Sequence, residues 1–323
     1  MFDPGLAGWA ATLGLIGALV AFDLWHSHRH PRAIGIPDAV RWSVFYVAVA
    51  VLFGVGLALL AGWDLGAQYF GGYIVEKSLS VDNLLVFVVI MSTFAVRAEQ
   101  QAKLLMIGIV GALALRAVLI AAGAAMLEEL SFTYLVFGLV LTLTAVRLYR
   151  DRGREPSVKD NMLVSAARRR GVPVTMLALI AVASTDLMFA FDSIPAVFGV
   201  TEHAYVVFVA NAFALLGLRA LFFLVVGLLA RLAYLMTGLA LILAFIGGKL
   251  VLQFAHLHHH QVPEVPTWLS LVVIGLTLAA TVVASLLKTR SRSGGSDAPS
   301  PRAGGGRPGA GTSHRSTRAA DLS

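Results

Sequence analysis

Nine apolar runs, each about the length needed to cross a bilayer as a helix, follow one another along this chain. They lie near residues 6 to 25, 42 to 62, 69 to 91, 104 to 126, 131 to 149, 174 to 198, 204 to 228, 232 to 254 and 268 to 287. In hydrocarbon every backbone N–H and C=O must be satisfied by the protein itself, which leaves helices or closed barrels. Runs this long, without alternation, predict an all-α polytopic bundle of about nine spans. Composition agrees, with 58% hydrophobic and 13% charged residues and a mean hydropathy of +0.81. Only Asp3 carries charge before Leu6, so the first run lacks a basic leader and reads as a retained span.

The loops supply an independent test of that count. Arg29, Arg32 and Arg41 follow the first run, Arg97 and Lys103 the third, Arg150 to Arg170 the fifth, Arg231 the seventh, and Lys288, Arg290 and Arg292 the ninth. The intervening loops, 63 to 68, 127 to 130, 199 to 203 and 255 to 267, hold no Lys or Arg. The positive-inside rule then puts the N-terminus outside and the C-terminus inside. These loop and tail charges also account for the net charge of +7. No basic-aromatic module accompanies them, so the partner is the lipid bilayer and not nucleic acid. Residues 1–290 form the transmembrane domain, and 291–323, rich in Gly, Ser, Pro and Arg, read as a disordered cytoplasmic tail.

Charge inside the runs is the second constraint. A carboxylate at mid-membrane costs roughly 2.5 to 3.5 kcal/mol on insertion scales, so such acids mark a pathway, a site or a compensated ion network. Glu76 and Asp82 lie in "EKSLSVDN", Asp186 and Asp192 in "STDLMFAFDSIPAVF", and Asp23 near the end of the first run. Each pair is six residues apart and its second acid is followed by a small polar residue, Asn83 or Ser193. The following runs also match, "GALALRAVLI" beside "FALLGLRALFF", which sets Arg116 opposite Arg219. Spans 3–5 and 6–8 are therefore read as an inverted repeat, since three helices per unit reverse the topology.

At about 1.5 Å per residue, Glu76 and Asp192 lie about 10 Å, and Asp82 and Asp186 about 20 Å, below one membrane face, so four carboxylates bracket the midplane. Six residues turn the helix 600°, leaving the two acids of one span about 120° apart. Convergence then needs an opened helix. Pro195, which removes the bond to the Phe191 carbonyl, makes span 6 the place to expect it, with a second break in span 3.

Carboxylates with Asn83, Ser193 and Asn211 as oxygen donors, and no Cys anywhere, suit a hard divalent cation such as Mn²⁺, Mg²⁺ or Ca²⁺. The alternative is a structural ion network in which Lys77, Arg116 and Arg219 neutralise the acids; a proton relay is a third use. "HLHHH" at 256 to 260 and "HSHRH" at 26 to 30 are read as solvated loops, and Trp25, Trp42, Trp63 and Trp268 as interfacial anchors.

"YIVEKSLSVDNLLVFVVI", "GIVGALALRAVLI", "STDLMFAFDSIPAVFGVT", "NAFALLGLRALFF" and "LILAFIGGKLVL", in this order, closely resemble the TerC/Alx family of bacterial integral membrane proteins, within the LysE-type transporter superfamily. The resemblance covers about residues 6 to 287. It implies a multi-pass protein of the inner membrane linked to tellurite resistance, alkaline response and manganese efflux, with contacts to the secretion machinery or exported proteins. The family's intramembrane acids map onto Glu76, Asp82, Asp186 and Asp192, with Asn83 and Ser193 beside them and Asp23 matching an acid of the first span.

The expected function is a plasma-membrane exporter of Mn²⁺, proton-coupled because vacated acids at close quarters hold a proton. No tightly bound cofactor and no enzymatic activity are expected. Its rival is a non-transporting membrane partner or assembly protein whose acids form structural salt bridges.

Overall fold

A computed structural model describes residues 4–29, 35–151, 162–228, 234–259, 262–263 and 265–293. Among them every regular element is a helix: α1 (Gly5–Arg29), α2 (Ile36–Ala61), α3 (Trp63–Thr93), α4 (Ala98–Glu129), α5 (Phe132–Asp151), α6 (Met162–Arg169), α7 (Val174–Phe198), α8 (Ala204–Leu215), α9 (Leu218–Leu228), α10 (Leu235–His258) and α11 (Thr267–Ser293). Residues 294–323, which hold nearly all of the expected tail, lie outside the described residues.

Among the described residues eight of the nine expected runs fall on one helix each and the seventh is divided between α8 and α9, and they are not equal as spans. Seven (α1, α2, α4, α5, α7, α10 and α11) are long and apolar enough to cross a membrane by themselves, and α8 with α9 passes only as a pair bent by 44°. Helix α3 has the length, 31 residues, yet carries Asp64, Glu76, Lys77 and Asp82. Large side chains such as Leu52, Leu59, Leu60 and Val118 are exposed, the inversion expected where the solvent is lipid. The short α6 was not expected; its Arg168 and Arg169 read as loop charge.

Helix packing brings the two halves of the chain together. α3 packs against α7 and α8, α4 against α7 and α8, and α5 against α10. The last pair is the most intimate. A Cβ added to Gly138 would lie 2.8 Å from the Gly247 carbonyl oxygen, and one added to Gly247 would lie 2.9 Å from that of Gly138, so backbone touches backbone. In α3 and α7, Gly72 abuts Val197, whereas Leu79 and Asn83 share a cavity with Asp192. The two helices therefore run antiparallel, with Asp192 beside Asn83 and not beside Glu76, the residue whose depth it was expected to share.

Two apolar clusters cap a polar layer. One takes Tyr69 and Tyr73 of α3, Ile120 to Leu127 of α4 and Ala190 to Phe198 of α7; the other takes Leu84 to Phe94, Leu104 to Ala112 and Leu177 to Val182 of the same helices. Glu76, Arg116 and Asp186 lie in the interval between them.

Candidate functional site

The polar layer centres on Arg116, which is 1% exposed. Its Nη1 donates to Glu76 Oε1 and, at 3.0 Å, to Asn211 Oδ1, while Nη2 lies 3.5 Å from Asp186 Oδ1. Glu76, Asp186 and Asn211 are all buried. Four helices, α3, α4, α7 and α8, thus each place one polar side chain at a common point. Burying charge is tolerable only with partners, and one guanidinium serves both acids. The cluster is only part-satisfied. Glu76 Oε2, Asp186 Oδ2 and Asn211 Nδ2 are buried without a hydrogen bond, as are the hydroxyls of Ser80, one turn further along α3, and of Ser193, two turns further along α7. Carboxylate and hydroxyl oxygens with unused lone pairs are what a hard cation takes.

Asp192 goes elsewhere. It accepts a 2.7 Å hydrogen bond from Thr144 of α5 and lines a cavity of about 190 Å³ with Leu79, Asn83, Arg147 and Ser193. Asp186 faces α4 and Asp192 faces α5, as the roughly 120° between them on a regular helix requires. Neither α7 nor α3 opens to make them converge. Pro195 sits inside continuous α7, and α3 is unbroken, which corrects both expected breaks.

The break falls in the seventh run. Leu216 ends α8 in an extended conformation and Gly217 takes φ +77°, a left-handed value that glycine adopts without strain. An ended helix leaves carbonyls unpaired. Lys77 satisfies two of them, at 3.0 Å from Ala214 O and 3.4 Å from Leu216 O. The ring of Tyr46 fills the space where a Cβ at Gly217 would stand, 2.7 Å away. Lys77 thus neither neutralises an acid by direct contact nor blocks the cluster.

Beyond the break, Arg219 pairs with Asp23 of α1 at 2.9 Å, both largely buried. Arg116 and Arg219, aligned in the sequence, hold different acids. Asp82 lies in α3, but its side chain is outside the described residues, as are the side chains of 26–30 and His260. Among the described residues no three His, Cys, Asp or Glu gather as a metal site. His256 and His258 each engage a backbone carbonyl, of Val262 and Phe254.

Sequence reasoning passed over Ser80, Thr144 and Arg147. Arg147 lies inside the fifth apolar run, the same signal that singled out Glu76. It also passed over a polar recess of about 280 Å³ at the end of the bundle, lined by Gln68, by residues 199 to 203 and Val265 of two Lys/Arg-free loops, and by Lys249 of α10. There Tyr134 donates to Glu202 at 2.9 Å, Thr201 donates to Gln68 at 2.6 Å, and burial pushes the His203 imidazole below its ordinary value of 6.5. At about 1.5 Å per residue, Gln68 stands about 12 Å along α3 from Glu76. Tyr69, Tyr73, Val197 and Phe198 fill the interval.

A profile described as the integral membrane protein TerC family matches residues 61–293, from the end of α2 to the end of α11. An uncharacterized membrane protein of Myxococcus xanthus is 38% identical over 310 residues, covering 89% of this chain and 94% of the relative. One of Mycobacterium tuberculosis is 39% identical, over 88% of this chain and 80% of the relative. A protein named thylakoid membrane protein TERC, chloroplastic, of Arabidopsis thaliana is 36% identical, over 76% and 68%. No solved structure matches.

Proposed function

Since this chain belongs to the TerC family of integral membrane proteins, we propose that it is a divalent-cation exporter of the bacterial plasma membrane, with Mn²⁺ as its cargo. One observation carries this reading: two carboxylates from antiparallel helices, Glu76 and Asp186, meet in a buried layer and keep oxygens without a hydrogen bond. Ser80, one turn along α3 from Glu76, adds a buried hydroxyl oxygen, and Ser193 adds one beside Asp192. A site of oxygens alone favours Mn²⁺, Mg²⁺ or Ca²⁺ over softer ions. The resemblance to a family linked with manganese efflux selects Mn²⁺ among them.

Counting α3 as a span gives nine, with the N-terminus outside and the C-terminus inside. The mutual packing of α3 with α8, α4 with α7 and α5 with α10 supports an inverted repeat of spans 3–5 and 6–8. On this reading the apolar clusters are the two gates, and rocking of one repeat against the other opens them in turn. The break at Gly217 is the natural hinge, and the polar recess is the outer vestibule. Protons moving inward supply the driving force. Metal tolerance, tellurite resistance and contacts with exported proteins follow from the cation pool and not from a separate chemistry.

The salt-bridge alternative is favoured by one observation, the shared Arg116. Flux in proteoliposomes separates the two. Wild type moving Mn²⁺, with folded Asp186→Asn and Glu76→Gln inactive, supports export; no cation moved by folded wild type in either direction leaves the acids structural. Flux indifferent to an imposed pH gradient removes the proton coupling alone.

A further inference from the structure

Glu76 and Asp186 bring two negative charges into a layer closed on both sides by apolar side chains, and Arg116 sets one positive charge between them. Its contacts are uneven. Nη1 is engaged by Glu76 and Asn211, but Nη2 reaches no closer than 3.5 Å to Asp186, and neither Nη2 nor Nε makes a hydrogen bond. A guanidinium has five N–H donors in a rigid fork, and a salt bridge that serves only to hold helices together gains from using them. Here donors and acceptors face one another half-used. Buried groups left in that state call for an explanation in a strain, a switch or a further ligand.

We infer that Arg116 is a tethered counter-ion: its guanidinium holds Glu76 and Asp186 while no cargo is bound, and the divalent cation displaces it from the carboxylates onto Asn211. The inference rests on the export reading above. Asn211 Oδ1 already accepts from Nη1, so the retreat keeps one hydrogen bond. Lys77 cannot take the role, because its ammonium is committed to the carbonyls of Ala214 and Leu216. The functional gain is release. Two carboxylates alone would hold a divalent cation tightly in a low-dielectric layer, whereas a guanidinium kept beside them opposes the bound ion and reclaims the acids when it leaves.

The test is Mn²⁺ binding to the purified full chain, with free Mn²⁺ read from its paramagnetic resonance, for wild type, Arg116→Ala and Arg116→Lys, with and without methylguanidinium. The Ala variant should bind Mn²⁺ at least about tenfold more tightly than wild type, since a nearby like charge is gone. Methylguanidinium, entering the space left by the side chain, should compete and raise the apparent Kd of that variant in proportion to its concentration. Wild type should not respond. Arg116→Lys, which keeps a tethered charge, should bind within about threefold of wild type and ignore methylguanidinium.

A folded Ala variant that binds no tighter than wild type overturns the inference. So does methylguanidinium that restores binding or thermal stability, the sign of a structural fork. Should the Ala variant not fold, the Lys variant decides, because loss of more than about tenfold in its affinity means the bidentate geometry was needed. Wild type binding none of Mn²⁺, Mg²⁺ and Ca²⁺ is failure of the export reading itself, recognised by all three proteins being equally silent.

Discussion

The ammonium of Lys77 stands 3.0 Å from the carbonyl oxygen of Ala214, one residue before the end of α8. Its neighbour Glu76 turns the other way, to Arg116. Two adjacent charges in α3 therefore serve two purposes, one fastening a helix break and the other lining the polar layer. A continuous apolar helix at α8 and α9 would need no lysine there.

Replacing Lys77 by Met should loosen that break. The carbonyls of Ala214 and Leu216 lose their donor in a part-buried setting, at a cost of about 1–3 kcal/mol. Thermal unfolding of the purified protein, followed by tryptophan fluorescence, should show a lower Tm. An unchanged Tm would mean that water or a lipid headgroup replaces the ammonium at no loss.

The Asp23 and Arg219 pair makes a second prediction. With Arg219 4% exposed and the two side chains 2.9 Å apart, removing either partner strips a largely buried charge of its ion pair. Asp23→Asn or Arg219→Met should each destabilise by about 3–5 kcal/mol, and Asp23→Leu with Arg219→Met together by clearly less than the sum. Equal and additive losses in Tm would show that the pair is not coupled.

Much of this was legible in the sequence, and the reasons differ by feature. Span positions follow from apolar length, which the bilayer fixes, so even α7 at 174–198 falls where its hydropathy puts it. The divergence of Asp186 and Asp192 follows from helical rise and turn alone. The break did not follow. Pro195 looked like the stronger breaker, yet near the end of α7 its missing N–H costs one bond and the helix absorbs it. Gly217, set among good helix formers, becomes a break only through tertiary partners, Lys77 on the carbonyls and Tyr46 against the backbone. Convergence of Glu76, Arg116, Asp186 and Asn211 depends on four helices at once, which no local pattern records.

Backbone contact between α5 and α10 predicts sensitivity to a single methyl group. A Cβ at Gly247 would meet the Thr142 hydroxyl at 2.7 Å and the Gly138 carbonyl at 2.9 Å. Gly247→Ala should cost about 1–3 kcal/mol by overpacking, and Gly247→Val more. Gly248, with no neighbour within 4 Å of its own Cβ position, is the control, and Gly248→Ala should leave Tm nearly unchanged.

The recess carries a pH prediction. Burial lowers the His203 pKa, so the unfolded chain binds its proton more readily than the folded one. Stability from this group is present above the unfolded value of 6.5 and is lost as pH falls below it. Unfolding midpoints measured between pH 8 and pH 5 should decline at the acid end, and His203→Gln should flatten that part of the curve. A slope identical in the variant would assign the decline to other groups.

Thr144 and Asp192 offer the sharpest separation of structure from transport. Their 2.7 Å hydrogen bond joins α5 to α7 beside the cavity that also holds Asn83 and Arg147. A double-mutant cycle with Thr144→Val and Asp192→Asn should give a coupling of about 1 kcal/mol or somewhat more in unfolding free energy, the bond being to a charged acceptor. Flux should divide differently. If Asp192 receives cargo from the Glu76 and Asp186 layer, Asp192→Asn should lower Mn²⁺ flux at least about tenfold, the loss of one charged ligand from a low-dielectric path. Thr144→Val, which leaves the carboxylate in place and frees its Oδ1, should retain most of the flux while losing stability. Equal loss of flux in both variants would mean that the hydrogen bond and not the charge is what the transport step requires.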